Sequence, residues 1–323
     1  MAVRVLGVGS AVPERRVANA DLENRVDTTD DWIRARTGIR ERRVIAAGEK
    51  LLDLVVPAAQ RALDASGVAA EELDAIVVGT VSGEYSFPAT ACEIQAALGV
   101  EDIAAFDVAA ACSGFLFALS TATAHVRAGD FRTVLVVGGD TLTTMIDWSD
   151  RRTCVLFGDG AGAVVLRRED GDRGVLACAT HASGAMRELL YARAGARGGF
   201  DAPPIPREVV LQMRGPELFR WAVRCMGAVA VEVLERAGLK PGDVDLVVPH
   251  QANLRIIDAV AEKLEFPKSK IFTNVETYGN TSAGSVPIAL DEAVRAGRLS
   301  QGDVVLLVAC GGGLTWAGSV VRW

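Results

Sequence analysis

Apolar, largely β-branched residues recur along the chain in short continuous runs, separated by stretches with helical spacing. Continuous rather than alternating runs are typical of strands covered on both faces, as in α/β sheets. The pattern therefore predicts an α/β protein. We interpret as strands residues 4–8, 75–78, 134–137, 163–166, 246–248, 304–308 and 319–321, with a strand-like segment at 271–275, and as helices residues 113–127, 216–236, 254–264 and 286–295.

The chain also repeats its own pattern at an offset of about 170 residues. Three matches in the same order indicate two copies of one βαβαβ-like unit. The matches join 67–78 to 238–249, 126–139 to 294–312, and 160–166 to 317–321. We therefore expect two fused halves, 1–172 and 173–323, with the irregular region 171–206 as a surface excursion or lid at their junction.

Composition and charge exclude several classes of protein. The 323 residues carry 34 basic and 41 acidic side chains, a net charge of −7 that disfavours binding to nucleic acid or anionic membrane. Residues 1–9 lack the pattern of a secretory signal, and the longest apolar stretch, 103–119, contains Asp107 and is too short to span a bilayer. We expect a cytoplasmic protein.

Six cysteines lie far apart, with neither a Cys-x-x-Cys pair nor a histidine at ligand spacing. This spacing disfavours a zinc or redox motif and indicates free thiols in a reducing compartment. The glycine-containing segments 7–9 and 158–162 lack the context of a dinucleotide-binding fingerprint. We expect neither a metal nor an organic cofactor.

Cys112 differs from the other cysteines in its position, directly after an apolar run and at the start of a predicted helix. The N–H groups of a helix start favour a thiolate there, which predicts a nucleophile at a strand-to-helix elbow. The alternative is a small buried hydrophobe.

Two residues of the second half are candidate partners of Cys112. His250 ends a predicted strand, where ligands gather in α/β sheets, and could be an acid, base or hydrogen-bond donor. Asn280 lies within two residues of the repeat position that answers Cys112 and could donate to an oxyanion or enolate. The alternatives are a loop histidine and a turn or cap asparagine. The glycines 311–313 end a strand and could offer a bare N–H to an oxyanion.

Arginines cluster after two tryptophans, against the acidic average of the chain. Such pairs suit a nucleotide, with the ring on the base and the guanidinium groups on the phosphates. A solvated basic surface is the alternative. The residues are Arg34, Arg36, Arg40, Arg42 and Arg43 after Trp32, and Arg151 and Arg152 after Trp148.

Six motifs in order carry a resemblance to one family. They are DDWIRARTGIRERR (30–43), ACSG (111–114), FGDGAGA (157–163), PHQANLRIID (249–258), GNTSAGSVP (279–287) and GGGLTW (311–316). The set closely resembles β-ketoacyl-[acyl-carrier-protein] synthase III of the thiolase superfamily. The resemblance covers the whole chain and implies two similar halves in a five-layered αβαβα arrangement.

The resemblance also implies a mechanism, which initiates type II fatty acid biosynthesis. Cys112 of the first half accepts an acyl group, acetyl in the first instance, from acyl-CoA, with the N–H groups of Cys112 and Gly312 as the oxyanion hole. Malonyl-[acyl-carrier-protein] then loses CO2, and His250 and Asn280 of the second half hold the enolate that attacks acyl-Cys112. The ping-pong cycle releases CoA, CO2 and 3-oxoacyl-[acyl-carrier-protein].

The resemblance further implies binding sites and a homodimer. CoA contacts would come from Trp32 and Arg151 at the adenine, Arg36 and Thr37 at the phosphates, and Met213, Gly215, Phe219 and Asn253 along the pantetheine tunnel. The acidic carrier protein would dock on Arg255, helped by Arg220, Arg224 and Lys263. Phe87 would lie at the dimer interface and close the acyl pocket of the partner subunit.

Some positions depart from related patterns. Cys310 precedes a glycine run, as the second catalytic cysteine of thiolases does, but the Gly-His-Pro setting that goes with it is replaced here by Gly-Asn-Thr, so we expect Cys310 to be a packing residue. Residues 81–85 and 181–187 leave the acyl pocket size open. Two other functions stay open: a secondary-metabolism condensing enzyme with another acyl donor or acceptor, and a non-catalytic or hydrolytic CoA-binding relative.

Overall fold

The computed structural model describes residues 2–193, 198–200 and 210–323. The strands are β1 Ala2–Ala11, β2 Arg16–Ala18, β3 Glu41–Arg43, β4 Ala75–Gly79, β5 Ala104–Val108, β6 Thr133–Thr141, β7 Asp159–Glu169, β8 Gly174–Ala182, β9 Leu190–Tyr191, β10 Gln212–Met213, β11 Leu246–Pro249, β12 Val304–Gly311 and β13 Thr315–Arg322. The helices are α1 Asn19–Glu23, α2 Asp30–Thr37, α3 Leu52–Ser66, α4 Thr90–Leu98, α5 Gly114–Ala128, α6 Gly215–Arg236, α7 Leu254–Lys263, α8 Val275–Tyr278 and α9 Ser285–Arg295.

Two sheets share one strand order. The first runs β1-β7-β6-β4-β5 and the second β8-β13-β12-β11, with parallel pairing between β4 and its neighbours and between β11 and β12. The last position of the second sheet holds a single bridge, from Val247 to Ile271, in place of a strand. The strand interpretation of residues 271–275 was therefore wrong, because Val275 already begins α8. The other seven predicted strands lie within observed ones.

The sheets and helices stack in five layers. Helices α3 and α4 cover one face of the first sheet, α5 and α9 fill the space between the sheets, and α6 and α7 cover the second sheet. The central layer packs Phe115 of α5 and Val286 of α9 with Val136 of β6 and Leu307 of β12. The five-layered αβαβα arrangement that the family resemblance implies is confirmed, and so are the two similar halves predicted from the duplicated pattern.

The repeat extends to backbone detail. Gly67 and Gly238 take nearly the same left-handed conformation after α3 and α6, with φ of 67° and 68°. Ala111 and Ser282, also about 170 residues apart, both have positive φ, 47° and 51°, which side-chain-bearing residues rarely adopt. This register pairs Cys112 with Ala283, so Asn280 lies three residues from the position answering Cys112, one more than expected.

The region 171–206 is only partly the irregular excursion that we expected. Its residues Gly174–Ala182 form β8, which pairs with β13 along its whole length. The alternation of small residues in this strand gives little hydrophobic contrast, which is why its pattern was weak. Residues 194–197 and 201–209 lie outside the described part of the chain.

None of the helices in the described part of the chain has the length and apolar character that a membrane span requires.

Candidate active site

Cys112 sits in a one-turn 3-10 helix, Ala111–Ser113, that leads from β5 into α5. The side chain is 4% exposed, and its sulfur accepts a hydrogen bond from Ser282 Oγ at 3.5 Å. Burial raises the pKa of Cys112 to about 12, although the Ser282 hydroxyl acts to lower it. Burial of the sulfur therefore opposes the thiolate that the start of a helix favours.

His250 directly follows β11 and is 2% exposed. Its Nδ1 lies 2.6 Å from Ser285 Oγ, at the first residue of α9. Ser285 Oγ also accepts the Gln251 N–H at 3.4 Å. Burial lowers the pKa of His250 to about 3, so the imidazole is neutral. When Ser285 donates its proton to Nδ1, the ring proton is on Nε2, and the imidazole is a hydrogen-bond donor there.

Asn280 is fixed from both sides of its backbone. Its N–H donates to Leu156 O at 2.8 Å, and its carbonyl accepts from Gly158 N at 3.0 Å. Its side-chain Oδ1 accepts from Ser282 N at 2.9 Å, so the amide nitrogen is the end left to donate elsewhere. Ser282 thus touches Cys112 with its hydroxyl and orients Asn280 with its backbone.

The end of β12 lies close to the backbone of Cys112. A Cβ on Gly311 would lie 2.6 Å from the backbone nitrogen of Cys112, so only glycine allows this approach. Gly312 follows and lines a cavity of about 510 Å³ together with Cys112 and Ser282. Gly312 and Cys112 therefore line the same cavity. Val81 and Arg187, from the two segments that left the pocket size open, also line it.

The chain is similar to known proteins over nearly its whole length. Two family models match, 3-oxoacyl-[acyl-carrier-protein] synthase III over residues 106–184 and its C-terminal part over residues 234–323. A β-ketoacyl-[acyl-carrier-protein] synthase III of Roseiflexus sp. strain RS-1 is 50% identical over 322 residues, 98% of this chain and 97% of the relative. The chain belongs to the β-ketoacyl-[acyl-carrier-protein] synthase III family.

Solved structures of this family superpose closely on the chain. The 3-oxoacyl-[acyl-carrier-protein] synthase III of Aquifex aeolicus VF5 has a TM-score of 0.94 and 46% identity, with 100% of each chain covered. The priming β-ketosynthase of the R1128 polyketide biosynthetic pathway has a TM-score of 0.91 and 38% identity, covering 99% of this chain and 96% of that one. The chain is therefore similar in structure both to a synthase III and to a priming β-ketosynthase of a polyketide pathway.

The residues predicted to bind CoA differ in their exposure to solvent in this synthase III chain. Arg36 and Arg151 are exposed, and their guanidinium carbons lie 4.3 and 5.0 Å from the ring centre of Trp32. Thr37 is buried instead, and its hydroxyl already donates to Ile33 O at 2.7 Å. Met213, Gly215 and Phe219 are half-buried along β10 and the start of α6. Their roles stay predictions.

Asn253 has a structural contact that the sequence did not suggest. Its Oδ1 caps α7 by accepting Arg255 N at 2.9 Å, and its Nδ2 donates to Arg36 O at 3.2 Å. This side chain therefore ties the end of α2, which carries Trp32, to the start of α7. The predicted nucleotide and pantetheine contacts are connected through it.

The arginine cluster is less uniform than its sequence suggests. Arg34, Arg36 and Arg40 are exposed, but Arg42 is 0% exposed and donates to three buried oxygens, including Val155 O at 2.9 Å. Burial lowers the pKa of Arg42 to about 10. Trp148 is also buried, packed edge-on against Phe200. Arg42 and Trp148 are therefore core residues and not parts of a nucleotide site.

The four cations predicted for carrier-protein docking lie on the outer helices α6 and α7 and are exposed. The guanidinium of Arg255 lies 5.8 Å from the ring centre of Phe219, and the Lys263 stem crosses α6 beside Gly227. The contacts bring the two helices together. The other two cations are Arg220 and Arg224.

The remaining cysteines are free, and Cys310 is 6% exposed in the core between the second sheet and α6. Burial raises its pKa. Phe87 is 86% exposed in the loop before α4.

Sequence reasoning missed Ser282 and Ser285, although both lie inside the quoted GNTSAGSVP motif. It also missed Asp140, a fully buried carboxyl group whose pKa burial raises while the neighbouring Ser282 side chain acts to lower it. The signal available was the repeat itself, because a register based on the two elbows places Ser282 opposite Ala111.

Proposed function

We propose that the chain condenses acetyl-CoA with malonyl-[acyl-carrier-protein], which gives 3-oxoacyl-[acyl-carrier-protein], CO2 and CoA and initiates type II fatty acid biosynthesis. The observation that carries this proposal is the set of buried contacts that the second elbow makes. Ser282 bonds Cys112 and Asn280, and Ser285, three residues further along, bonds the neutral His250. Family membership supports the same reaction.

In the first half-reaction, Cys112 sulfur attacks the thioester carbon of acyl-CoA. The new C–S bond gives a tetrahedral intermediate, the collapse of this intermediate breaks the bond to CoA sulfur, and the thiol proton ends on CoA. The oxyanion of the tetrahedral intermediate is stabilised by the N–H groups of Cys112 and Gly312. The close approach of Gly311 to the Cys112 backbone supports this placement.

In the second half-reaction, His250 and Asn280 hold the thioester oxygen of malonyl-[acyl-carrier-protein]. Loss of CO2 leaves negative charge on that oxygen, and two aligned neutral donors stabilise it. The enolate carbon then attacks acyl-Cys112 and releases the cysteine. A neutral His250 is suited to this role because its Nε2–H needs no uptake of a proton. We propose no metal or organic cofactor, since these donors supply the stabilisation.

For substrate binding, we propose that CoA enters along Trp32, Arg36 and Arg151, with Thr37 adjoining, and continues past Met213, Gly215, Phe219 and Asn253. Two guanidinium groups beside one indole suit an adenine with phosphates. The carrier protein docks on the exposed cations of α6 and α7, led by Arg255 with Arg220, Arg224 and Lys263. This assignment places the chain in the cytoplasm with its carrier protein, and the free thiols suit that compartment.

We also propose a homodimer, formed at the β5 edge of the first sheet, with residues 1–172 and 173–323 as the two halves of each subunit. The support is the exposure of Phe87 (86%) and Tyr85 (55%), together with β5 as the last strand of its sheet. Asp107 of β5 accepts from Thr90 N at 2.7 Å, which fixes the Phe87 loop beside that edge. Phe87 of one subunit would then close the acyl pocket of the other.

The second candidate function is a secondary-metabolism condensing enzyme with the same catalytic set. The R1128 priming β-ketosynthase, at 38% identity, favours it as the alternative. The departures at Val81 and Arg187 fall on the cavity wall and so bear on the acyl group accepted.

Mass spectrometry separates these functions. The protein is incubated with acetyl-, branched and longer acyl-CoA, the adduct on Cys112 is recorded, and malonyl-[acyl-carrier-protein] is added. Formation of 3-oxoacyl-[acyl-carrier-protein] from acetyl-CoA supports the main proposal, and selective acylation by another donor supports the alternative. Cys112→Ser is the control. A condensing enzyme forms the adduct as the wild type and loses it in this variant, whereas a CoA-binding module forms no adduct in the wild type or the variant and keeps its affinity for CoA in both.

A further inference from the structure

A buried polar chain runs from Cys112 into the first sheet, and the condensation described above does not use it. Ser282 Oγ donates to Cys112 Sγ at 3.5 Å. The same side chain acts to lower the pKa of the neighbouring Asp140 carboxyl at the end of β6, and the next residue, Ala283, donates its N–H to Asp140 Oδ2 at 3.3 Å. Cys112, Ser282 and Asp140 are 4%, 1% and 0% exposed. A hydroxyl has one proton, so the sulfur and the carboxylate compete for it.

Asp140 is held in place by neutral donors. Its Oδ1 accepts from Thr80 Oγ1 at 2.9 Å, Val81 N at 2.8 Å and Ser82 Oγ at 2.8 Å. Its Oδ2 accepts from Ala283 N at 3.3 Å. The carboxylate therefore has a fixed orientation and reaches both halves of the molecule. Nothing in its contacts requires Ser282 to satisfy Oδ1.

We propose that Ser282 is a further catalytic residue whose hydroxyl, donated to the Cys112 sulfur, favours the thiolate as the thiol ionises, and that the neighbouring Asp140 carboxylate competes for this hydroxyl. A hydrogen bond to a charged acceptor is stronger than one to a neutral acceptor, so the bond favours the thiolate over the thiol. The proposal rests on the proposed role of Cys112 as the nucleophile.

Two arginines, Arg187 and Arg193, line the same cavity as Cys112. Cys310 on β12 and the neutral His250 at the end of β11 are further titratable groups of the site, and Asp159 on β7 lies behind Asp140. The carboxylate of Asp140 opposes ionisation of Cys112. The Ser282 hydroxyl is the described side-chain donor that contacts Sγ.

The two partners are expected to respond in opposite directions. Ser282→Ala and Ser282→Gly both remove the hydroxyl, and both should slow alkylation of Cys112 by iodoacetamide about tenfold, equivalent to about 1.4 kcal/mol. Asp140→Asn keeps an oxygen for the three Oδ1 donors but removes the competing charge, and should speed alkylation about threefold or more.

Two variants at position 282 are needed because Ser282 has a φ of 51°. Glycine relieves backbone strain at this angle and alanine keeps it, so an effect of the hydroxyl is common to both variants whereas an effect of strain is not. Ser113→Ala is the matched control. It removes a buried hydroxyl next to Cys112 that bonds Thr315 O at 3.1 Å instead of the sulfur. Its rate should equal that of the wild type.

The rate constant is measured by mass mapping of the Cys112 peptide from about pH 6 to 10, with Cys112→Ser as the blank and a thermal melt for each variant. Wild-type rates in both Ser282 variants, or slowing in Ser282→Ala alone, would overturn the role of the hydroxyl. Slowing in Asp140→Asn would overturn the competition with Asp140. Alkylation needs no acyl-CoA. If the alkylation rates follow the predictions above but acyl transfer from acyl-CoA fails, the result counts only against the proposed function.

Discussion

Replacement of Ser285 by alanine should separate the two half-reactions of the proposed cycle. Ser285 Oγ lies 2.6 Å from His250 Nδ1, and both residues are buried. The variant leaves Nδ1 without its partner and no longer fixes the ring proton on Nε2. An unsatisfied buried group costs about 1–3 kcal/mol, which corresponds to roughly 5- to 150-fold in rate. We expect a loss in this range for decarboxylation.

The assay follows each half-reaction by itself. Release of CO2 from malonyl-[acyl-carrier-protein] is measured on enzyme already acylated at Cys112, and acylation is measured by intact mass with acyl-CoA in a single turnover. Acylation should change by less than about threefold, because the oxyanion donors are backbone groups. Ser113→Ala, which removes another buried hydroxyl, should leave both rates unchanged. Equal losses in the two half-reactions for Ser285→Ala would refute the assignment of His250 to the second.

Other predictions concern pH, packing and buried charge. Since the pKa of His250 is lowered to about 3 from 6.5, decarboxylation should show no inflection near pH 6.5. The unfolded state takes up this proton first, so the free energy of unfolding should fall as pH drops from about 6.5 towards 3, a slope that His250→Gln should reduce in urea titrations. Gly311→Ala should cost about 1–3 kcal/mol in urea unfolding and block acylation, because its Cβ would lie 2.6 Å from the Cys112 nitrogen, whereas Gly242→Ala, with nothing within 4 Å, should be neutral. Arg42→Met leaves buried oxygens without their donor and should lower stability by about 1–3 kcal/mol in the same unfolding experiment.

Sequence patterns predicted the parts of the fold that depend on burial. Runs such as 134–137 and 304–308 are buried on both faces, so their composition alone marks them as strands. β8 was missed because its pairing with β13 is long-range and its side chains are mostly small. Residues 271–275 have strand composition, but tertiary context gives one bridge followed by a helix turn.

The candidate site was predictable only where position along a strand or helix carries chemistry. Cys112 and His250 stand at element ends, and the structure places both there. The protonation state of Cys112 was not predictable, since burial, which sequence does not report, raises its pKa. Arg42 shows the same limit, because its burial removes it from a cluster that looked continuous in sequence.

The two elbows explain why the catalytic residues lie together at all. Ala111 and Ser282 occupy equivalent strained positions in the two halves, and the second elbow packs on the first through Ser282 and Cys112. A Cβ on Gly114 would lie 3.3 Å from Ala283 Cβ, so the elbows meet in close contact at the centre of the molecule. In the first half the residue after the strained position is Cys112, the proposed nucleophile, and in the second it is Ala283. The second turn therefore supplies the Ser282 hydroxyl as a hydrogen-bond donor to the sulfur that the first turn supplies, which is why the proposed site lies where the two turns meet.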